Sequence, residues 1–224
     1  MIVDLEECVL FEERVVEMME KDPIVELNRL WEPVRPYLAQ EVSELYGRHD
    51  GRVLEAGPFS GLAFELARRG IGTSFHMAVF PGEIADALKD EARELGLAGR
   101  VTIAESDEKL GGVPTEAFDL AVFRGAFFFP SFFRPDLPAL YRSLKAGGMA
   151  LVGGGFGRHT PEDVIRGIEK RSKDLNQALG RVRITERDLW SILEAAGLKE
   201  KATMITEGGL WVVVRKGFPP RTAS

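Results

Sequence analysis

The sequence predicts an α/β fold, a mostly parallel β-sheet with helices packed on both of its faces. Short apolar runs alternate with segments whose apolar residues recur every three or four positions, the pattern of repeated β-α units. The run 118–123 is almost wholly apolar, as a strand buried on both faces should be. Two strand-like runs, 201–206 and 210–214, flank a glycine-containing turn and predict an antiparallel hairpin. We therefore predict a Rossmann-like, doubly wound, seven-stranded and mostly parallel sheet with an antiparallel C-terminal hairpin and a helical N-terminal cap.

Length and composition are those of a single globular domain. The chain has 224 residues, of which 45% are hydrophobic and 29% are charged, which is enough to cover a sheet on both faces. Acidic residues outnumber basic ones, 35 to 29, and the net charge is −6. Proteins that bind along a nucleic-acid backbone are usually basic, so the composition disfavours this class of partner.

Cysteine usage and the first residues favour a reducing compartment. Cys8 is the only cysteine, so neither an internal disulfide nor a thiolate metal cluster can form. The N-terminus is too acidic for a signal peptide, and no apolar run approaches the length that spans a membrane. We therefore expect a cytoplasmic protein without a membrane partner.

Residues 1–48 are the predicted N-terminal cap, and from residue 5 onward they have a helical pattern. Pro33 and Pro36 divide the cap because proline is tolerated only in a first helical turn, and a second helix is predicted to begin near Pro33. The cap either covers the sheet as a structural layer or forms a lid over a substrate pocket, and the two roles are compatible. One apolar stripe runs along it: Leu27, Leu30, Val34, Leu38, Val42 and Leu45.

The main domain is predicted to span residues 49–217, and residues 218–224 are a tail. Glycines 147 and 148 are expected to end the helix that precedes the fifth strand. Thr160 and Thr185 each precede an acid by three residues, a capping pattern that predicts two further helices. The remaining predicted helices are 60–70, 84–95 and 136–145, and the predicted strands before the hairpin are 52–55, 74–80, 100–104, 118–123 and 149–152.

The segment from Arg52 to Gly61 is the part of the chain most typical of a binding site. A short apolar strand ends at Glu55, and a loop bracketed by Gly57 and Gly61 leads into a helix. Glycine permits positive φ and lets a ligand approach the backbone closely, while the first amides of the helix point over the strand end. Strand, tight turn and helix in this order are the opening unit of an α/β nucleotide-binding fold.

This segment resembles motif I of class I S-adenosylmethionine-dependent methyltransferases, in which an acid is followed by glycines at alternate positions. Glu55, Gly57 and Gly61 match that motif, and Phe59 stands in place of its middle glycine. Motif I alone is a weak signal, but it does not stand alone in this chain.

Two later stretches extend the resemblance to residues 50–216. The stretch 118–126 is similar to the family's fourth-strand motif, and 144–152 is similar to the segment that leads into its fifth strand. The resemblance implies S-adenosylmethionine as the cofactor, S-adenosylhomocysteine as its product, and a small molecule as the methyl acceptor.

The resemblance also implies which residues contact the cofactor. Glu55 would meet its ammonium, and Asp107, after the third strand, would bind the adenine amino group. Each has a simpler alternative, since Glu55 would also serve as an acceptor for loop amides and Asp107 as a solvated loop acid. The implied cofactor-binding residues are Glu55, Gly57, Pro58, Phe59, Gly61, Phe80, Asp107, Arg124 and Gly125.

Two departures from the family pattern support a second hypothesis. Phe59 adds bulk where the cofactor approaches the backbone, and no Asp or Glu lies between Glu65 and Glu83 to bind the ribose at the end of the second strand. Glu83 could take that part, although an acid at a helix start is stabilising on its own. The alternative is a methyltransferase-fold protein that has lost activity and serves as a binding or regulatory module. A nicotinamide-dependent oxidoreductase is disfavoured because the glycine spacing is not G-x-G-x-x-G.

Two residues are weak candidates for the chemistry itself. Arg124 would hold an anionic substrate or else form a surface ion pair. His159 would be a general base or else an exposed loop histidine. The phenylalanine-rich run 127–133 either packs under the cap or forms an apolar wall for a substrate or a sulfonium. We expect a small-molecule partner and no metal, and the sequence leaves a homodimer open.

Overall fold

The structure is a computed structural model, and it describes residues 23–217. Seven strands form one sheet in the order β3-β2-β1-β4-β5-β7-β6. The first five strands pair in parallel, and β7 is antiparallel to both of its neighbours. The predicted fold class is therefore confirmed. The strands are β1 Arg52–Ala56, β2 Ser74–Val79, β3 Val101–Glu105, β4 Phe118–Arg124, β5 Leu144–Gly155, β6 Ala202–Ile205 and β7 Gly209–Arg215.

Helices cover the sheet on both faces because successive residues of its inner strands are apolar and point to opposite faces. Val53 belongs to one buried core and Leu54 to the other, as expected for neighbours on a strand that point to opposite faces. Helices α2, α3 and α4 pack on the first core, and α5 and α7 on the second. The helices are α1 Pro23–Leu30, α2 Arg35–Tyr46, α3 Leu62–Arg68, α4 Ile84–Glu94, α5 Leu137–Ser143, α6 Glu162–Ala178 and α7 Glu186–Ala195, with short 3₁₀ turns at Glu32–Val34 and Lys199–Lys201.

The prolines divide the cap as predicted. Pro33 lies in the 3₁₀ turn between α1 and α2, and Pro36 lies in the first turn of α2, where its missing N–H costs nothing. The part of the predicted cap before Pro23, together with Cys8, lies outside the described residues, as does the predicted tail after residue 217. The boundary between cap and main domain stays a prediction.

The helix before the fifth strand ends earlier than the glycines predicted. Helix α5 ends at Ser143, and Leu144 is already extended and pairs with Phe118 across the sheet. The pairing is irregular between Phe118 and Leu120, and the N–H of Gly147 donates to the carbonyl of Lys216 at 2.8 Å. The prediction of a helix to residue 145 was wrong because strand pairing satisfies the backbone that the helix would have used.

Of the two predicted capping threonines, one is confirmed. Thr185 and Asp188 form a complete capping box at the start of α7. Helix α6 begins instead with Pro161 in the N-cap position, and the hydroxyl of Thr160 donates to the carbonyl of Phe156. The extended backbone of Pro161 shifts the helix start by one residue, which takes Thr160 out of capping position.

Candidate functional site

The turn after β1 is fixed from below by Glu55. Its side chain is 1% exposed, and its two oxygens accept from the N–H groups of Gly61, Leu62 and Ala63 at 3.1, 3.0 and 2.9 Å. These amides begin α3, where backbone donors have no partner within the helix. Glu55 therefore has the contacts of the simpler of its two predicted roles, that of an acceptor for loop amides. Both of its oxygens already have protein partners.

Asn28 of α1 fixes the same turn from above. Its side-chain NH₂ donates to the carbonyl of Pro58 at 2.8 Å, and its oxygen accepts from the N–H of Ser60 at 3.1 Å. Arg35 of α2 also reaches the turn and forms an ion pair with Glu91 of α4. Sequence reasoning missed Asn28, because a polar residue beside an apolar stripe gives no sign of a partner thirty residues away.

The space around the turn is taken up by the protein's own side chains. A Cβ on Gly57 would lie 2.4 Å from the ring of Phe123, and a Cβ on Gly125 would lie 2.2 Å from the ring of Phe59. Gly57 has φ +98°, so both sterics and backbone conformation require glycine there. The ring of Phe59, the residue in the middle-glycine position, therefore packs directly over the end of β4.

Five phenylalanine rings pack over the carboxyl ends of β1, β2 and β4. Phe59 lies 4.8 Å from Phe129, and Phe133 lies 5.4 Å from Phe80 and 5.8 Å from Phe123, measured between ring centroids. All five are buried, whereas Phe132 of the same phenylalanine-rich run is 37% exposed. Phe128 and Phe129 of the run also line a cavity, so the two predicted roles of the run, packing under the cap and forming a wall for a substrate, both stay predictions.

That cavity opens beyond the phenylalanine cluster, at the carboxyl ends of β4 and β5. Its volume is about 470 Å³, and helices α1 and α6 form its other walls. A crevice at the carboxyl ends of parallel strands is where α/β folds bind ligands. Its apolar lining residues include Leu27, Trp31, Phe59, Phe128, Phe129, Phe156 and Trp211, and its polar ones include Asn28, Arg124, Glu169, Ser172, Lys173, Asn176, Gln177 and Arg181.

Arg124 ends β4 and lines this cavity without an anionic partner. Its side chain is 5% exposed, and within residues 23–217 its guanidinium makes no hydrogen bond or ion pair. The guanidinium lies 5.4 Å above the ring of Trp31. Burial lowers the pKa of Arg124 to about 10; the charge of Glu55 opposes this shift and that of Arg35 adds to it. A surface ion pair, the alternative for this residue, is excluded, and the side chain stays charged at neutral pH.

Comparison with known proteins identifies the fold. No family model matches the chain, and no curated protein matches it in sequence. Solved structures do match, among them a candidate S-adenosylmethionine-dependent methyltransferase from Methanococcus maripaludis, with a TM-score of 0.69 and 21% identity over 88% of this chain and 92% of that one. This chain has the class I methyltransferase fold.

Two further structures with this fold resemble the chain at lower identity. An S-adenosylmethionine-dependent methyltransferase from Aquifex aeolicus has a TM-score of 0.59 and 16% identity, over 87% of this chain and 97% of that one. A geranyl diphosphate C-methyltransferase from Streptomyces coelicolor, in complex with Mg²⁺, geranyl diphosphate and S-adenosylhomocysteine, has a TM-score of 0.54 and 14% identity, over 81% of this chain and 80% of that one. At these identities the likeness concerns the fold.

Whether the nucleoside of the cofactor would find hydrogen-bond partners depends on two acids, Glu105 at the end of β3 and Asp107 in the loop that follows. Oδ1 of Asp107 accepts from the N–H groups of Lys109 and Gly111, both at 2.9 Å, and Oδ2 has no hydrogen-bond partner among the described residues. Glu105 ends β3, and a Cβ on Gly82, just after β2, would lie 2.9 Å from its carboxylate. Within residues 23–217 the Glu105 side chain forms no hydrogen bond or ion pair, so it is free to accept from a diol.

The residues present therefore fit S-adenosylmethionine at its nucleoside end. Glu105, on the strand next to β2, is an acid close to the end of β2, and sequence reasoning missed it because it expected the acid between Glu65 and Glu83. Glu83 lies exposed at the start of α4. Phe80, the predicted contact at the end of β2, belongs to the phenylalanine cluster.

The predicted site residues other than Phe80 lie in four places. Phe59, Arg124 and Gly125 meet at the cavity, while Glu55, Gly57, Pro58 and Gly61 build the turn beside it. Asp107 lies in the loop after β3. His159 is absent from the cavity lining; its Nε2 lies 2.9 Å from a carboxylate oxygen of Glu44, on the surface of α2.

Neither a metal cluster nor a membrane-crossing helix is found in the described part of the chain. Within residues 23–217, no three His, Cys, Asp or Glu side chains are grouped as metal ligands. None of the helices there has the length and apolarity needed to cross a membrane.

Proposed function

We propose that this protein transfers a methyl group from S-adenosylmethionine to a small-molecule acceptor. The observation that carries the proposal is the cavity at the ends of β4 and β5, next to the turn after β1, in a chain with the class I methyltransferase fold. Similar structures bind this cofactor or its product: one is a geranyl diphosphate methyltransferase in complex with S-adenosylmethionine and another is a protein named PigF with S-adenosylhomocysteine.

The chain's own residues would contribute binding, positioning and water exclusion. Glu105 would accept from the ribose hydroxyls and Asp107 from the adenine; Glu105 ends β3, which is separated from β1 by β2, and Asp107 follows in the next loop. The cofactor supplies a methyl carbon already activated by a sulfonium, so positioning and desolvation are the main demands on the protein. The aromatic side chains around the cavity and the roof formed by α1 and α6 keep water from the acceptor.

Isothermal titration of S-adenosylmethionine and S-adenosylhomocysteine into the purified protein tests the proposal. We expect micromolar binding of both, followed by transfer of a labelled methyl group in a screen of small-molecule acceptors. Glu105→Gln is expected to weaken both by about tenfold, because it removes a charge-assisted hydrogen bond. Glu94→Gln, on the exposed face of α4, is the matched control and should leave both affinities unchanged. Absence of binding at millimolar concentration would contradict the proposal.

A second candidate function is a binding or regulatory module that has lost methyl transfer. It is favoured by one observation, the Phe59 ring that packs against Gly125 and Phe129 in the middle-glycine position. On this hypothesis the wild-type protein binds neither form of the cofactor, and Phe59→Gly gains binding because it vacates the ring's space. On the first hypothesis Phe59→Gly changes the affinity little and mainly lowers stability.

A further inference from the structure

Arg124 presents an unpaired positive charge to the cavity. A guanidinium carries five N–H donors, and a buried charge without a counter-ion is costly unless a partner arrives. Glu55, the acid that faces it electrostatically, has both oxygens bonded to backbone amides. The contact with Trp31 compensates for part of the lost hydration, but it supplies no hydrogen-bond acceptor. The side chain therefore has the donors of an anion site and no anionic partner among residues 23–217.

Trp211 of β7 carries a second buried donor without a hydrogen-bond partner among residues 23–217, and it lies in register with Arg124 across the sheet. Arg124 pairs with Gly153 of β5, and Gly153 pairs with Trp211 of β7, so the two side chains stand about 10 Å apart across two strand spacings. Trp211 is 2% exposed, lines the same cavity, and its indole Nε1 has no partner in the described part of the chain. Two buried donors on residues that line one cavity thus lack an acceptor among residues 23–217, and a ligand acceptor in the cavity would supply one.

The cavity walls around these two donors are aromatic and would accommodate a planar apolar group. Trp31 and Phe156 are stacked with centroids 4.8 Å apart and planes at 2°, and a hydrogen bond of 3.0 Å from the Trp31 indole to Ser172 fixes the pair. Phe128 lies on the same lining. Aromatic walls favour planar rings through offset stacking and edge contacts.

The charges on the cavity lining favour an anion. Arg124, Lys173 and Arg181 are its cations and Glu169 its only acid. None of the four forms an ion pair with another residue of the range 23–217. The surplus of positive charge lies on the side of β5, β7 and α6, away from Glu105 at the end of β3 and from Asp107 in the loop that follows.

From these observations we propose that the cavity binds an aromatic carboxylic acid, with its carboxylate on Arg124 and Trp211 and its ring against Trp31 and Phe128. That this ligand is the methyl acceptor rests on the proposed function, whereas its binding does not. The methionine end of the cofactor also carries a carboxylate, and the position of Trp211 and α6 beyond β4 favours the acceptor as the source.

Titration calorimetry without cofactor tests the site with 2-naphthoate and its neutral match, 2-naphthamide. Wild-type protein should bind the acid at least tenfold more tightly than the amide. Arg124→Met should remove that difference, and Trp211→Phe, which removes the Nε1 donor together with the pyrrole part of the indole, should reduce it, the neutral amide reporting any effect of the lost ring volume. Arg166→Met is the matched control, an exposed arginine of α6 that is absent from the cavity lining, and should change the affinity for the acid by less than about threefold. Equal binding of acid and amide by the wild type, or unchanged binding of the acid by Arg124→Met, would overturn the proposal.

Two further measurements keep the result unambiguous. The melting temperature of Arg124→Met should be no lower than that of the wild type, because the substitution removes a buried charge that has no partner among residues 23–217. If Arg124→Met does not fold, Arg124→Gln replaces it in the titrations. S-adenosylhomocysteine and 5′-methylthioadenosine, which lacks the carboxylate, identify the source. If Arg124→Met weakens only S-adenosylhomocysteine and leaves 2-naphthoate unaffected, the carboxylate is the cofactor's and the proposal is wrong. Naphthoate binding in a protein that binds no cofactor would support this site while contradicting the proposed function.

Discussion

At the scale of single residues, buried polar side chains shape the turn beside the cavity. Asn28→Ala would leave the carbonyl of Pro58 and the N–H of Ser60 without partners. We expect the free energy of unfolding to fall by about 2–4 kcal/mol, since each buried polar group left unsatisfied costs about 1–3 kcal/mol. Urea denaturation measures this. Gln40→Ala, an amide on the exposed face of α2, should change stability by less than about 0.5 kcal/mol, and a similar loss in both variants would contradict the bridging role.

A surface carboxylate gives a second prediction at this scale. Hydrogen bonds from His159 and then from Arg158 and Gln40 lower the pKa of Glu44 to about 2, from 4.5. A group with a lowered folded-state pKa stabilises the protein above its unfolded pKa, so this contribution is present above pH 4.5 and is lost as the pH falls from 4.5 towards 2. Carboxyl ¹³C titration should show a midpoint near 2, and His159→Ala should raise it; an unshifted midpoint in both proteins would rule out the interaction.

At the scale of elements, helix α7 depends on a local cap. Thr185→Ala should lower the free energy of unfolding by about 1 kcal/mol, because it leaves the N–H of Asp188 without an acceptor at the helix start. Ser191→Ala, a hydroxyl in the interior of the same helix, is the comparison and should cost less than Thr185→Ala. Chemical denaturation of both variants provides the measurement, and equal effects would show that the capping box adds nothing beyond an ordinary hydroxyl.

At the scale of the whole molecule, the strand order determines which strands protect their backbone amides longest from hydrogen exchange. All seven residues of β4 are buried, and the strand lies between β1 and β5 at the centre of the sheet. The edge strands β3 and β6 are only partly buried. We therefore expect amide hydrogen exchange to be slowest in β4 and its neighbours and to approach local opening rates in β3 and β6. Uniform protection across the sheet would contradict this order of stabilities.

The sequence by itself determined the sheet, because strand burial and helix periodicity are local patterns. An apolar run such as 118–123, the turn between Glu55 and Gly61, and the capping box at Thr185 each carry their conformational preference in a few neighbouring residues. The same locality explains the one misplaced helix end, since glycines 147 and 148 favour termination anywhere and only strand pairing with Phe118 ended the helix at Ser143.

Only the tertiary structure decided which side chains have partners. Asn28 and Pro58, or Glu105 and Gly82, meet because helices and neighbouring strands bring distant residues together, and no local pattern specifies such pairs. Sequence reasoning marked Arg124 as a candidate but could not separate a surface ion pair from an anion site. That distinction depends on burial and on the lack of a counter-ion among residues 23–217, and both are properties of packed chain segments rather than of residue order.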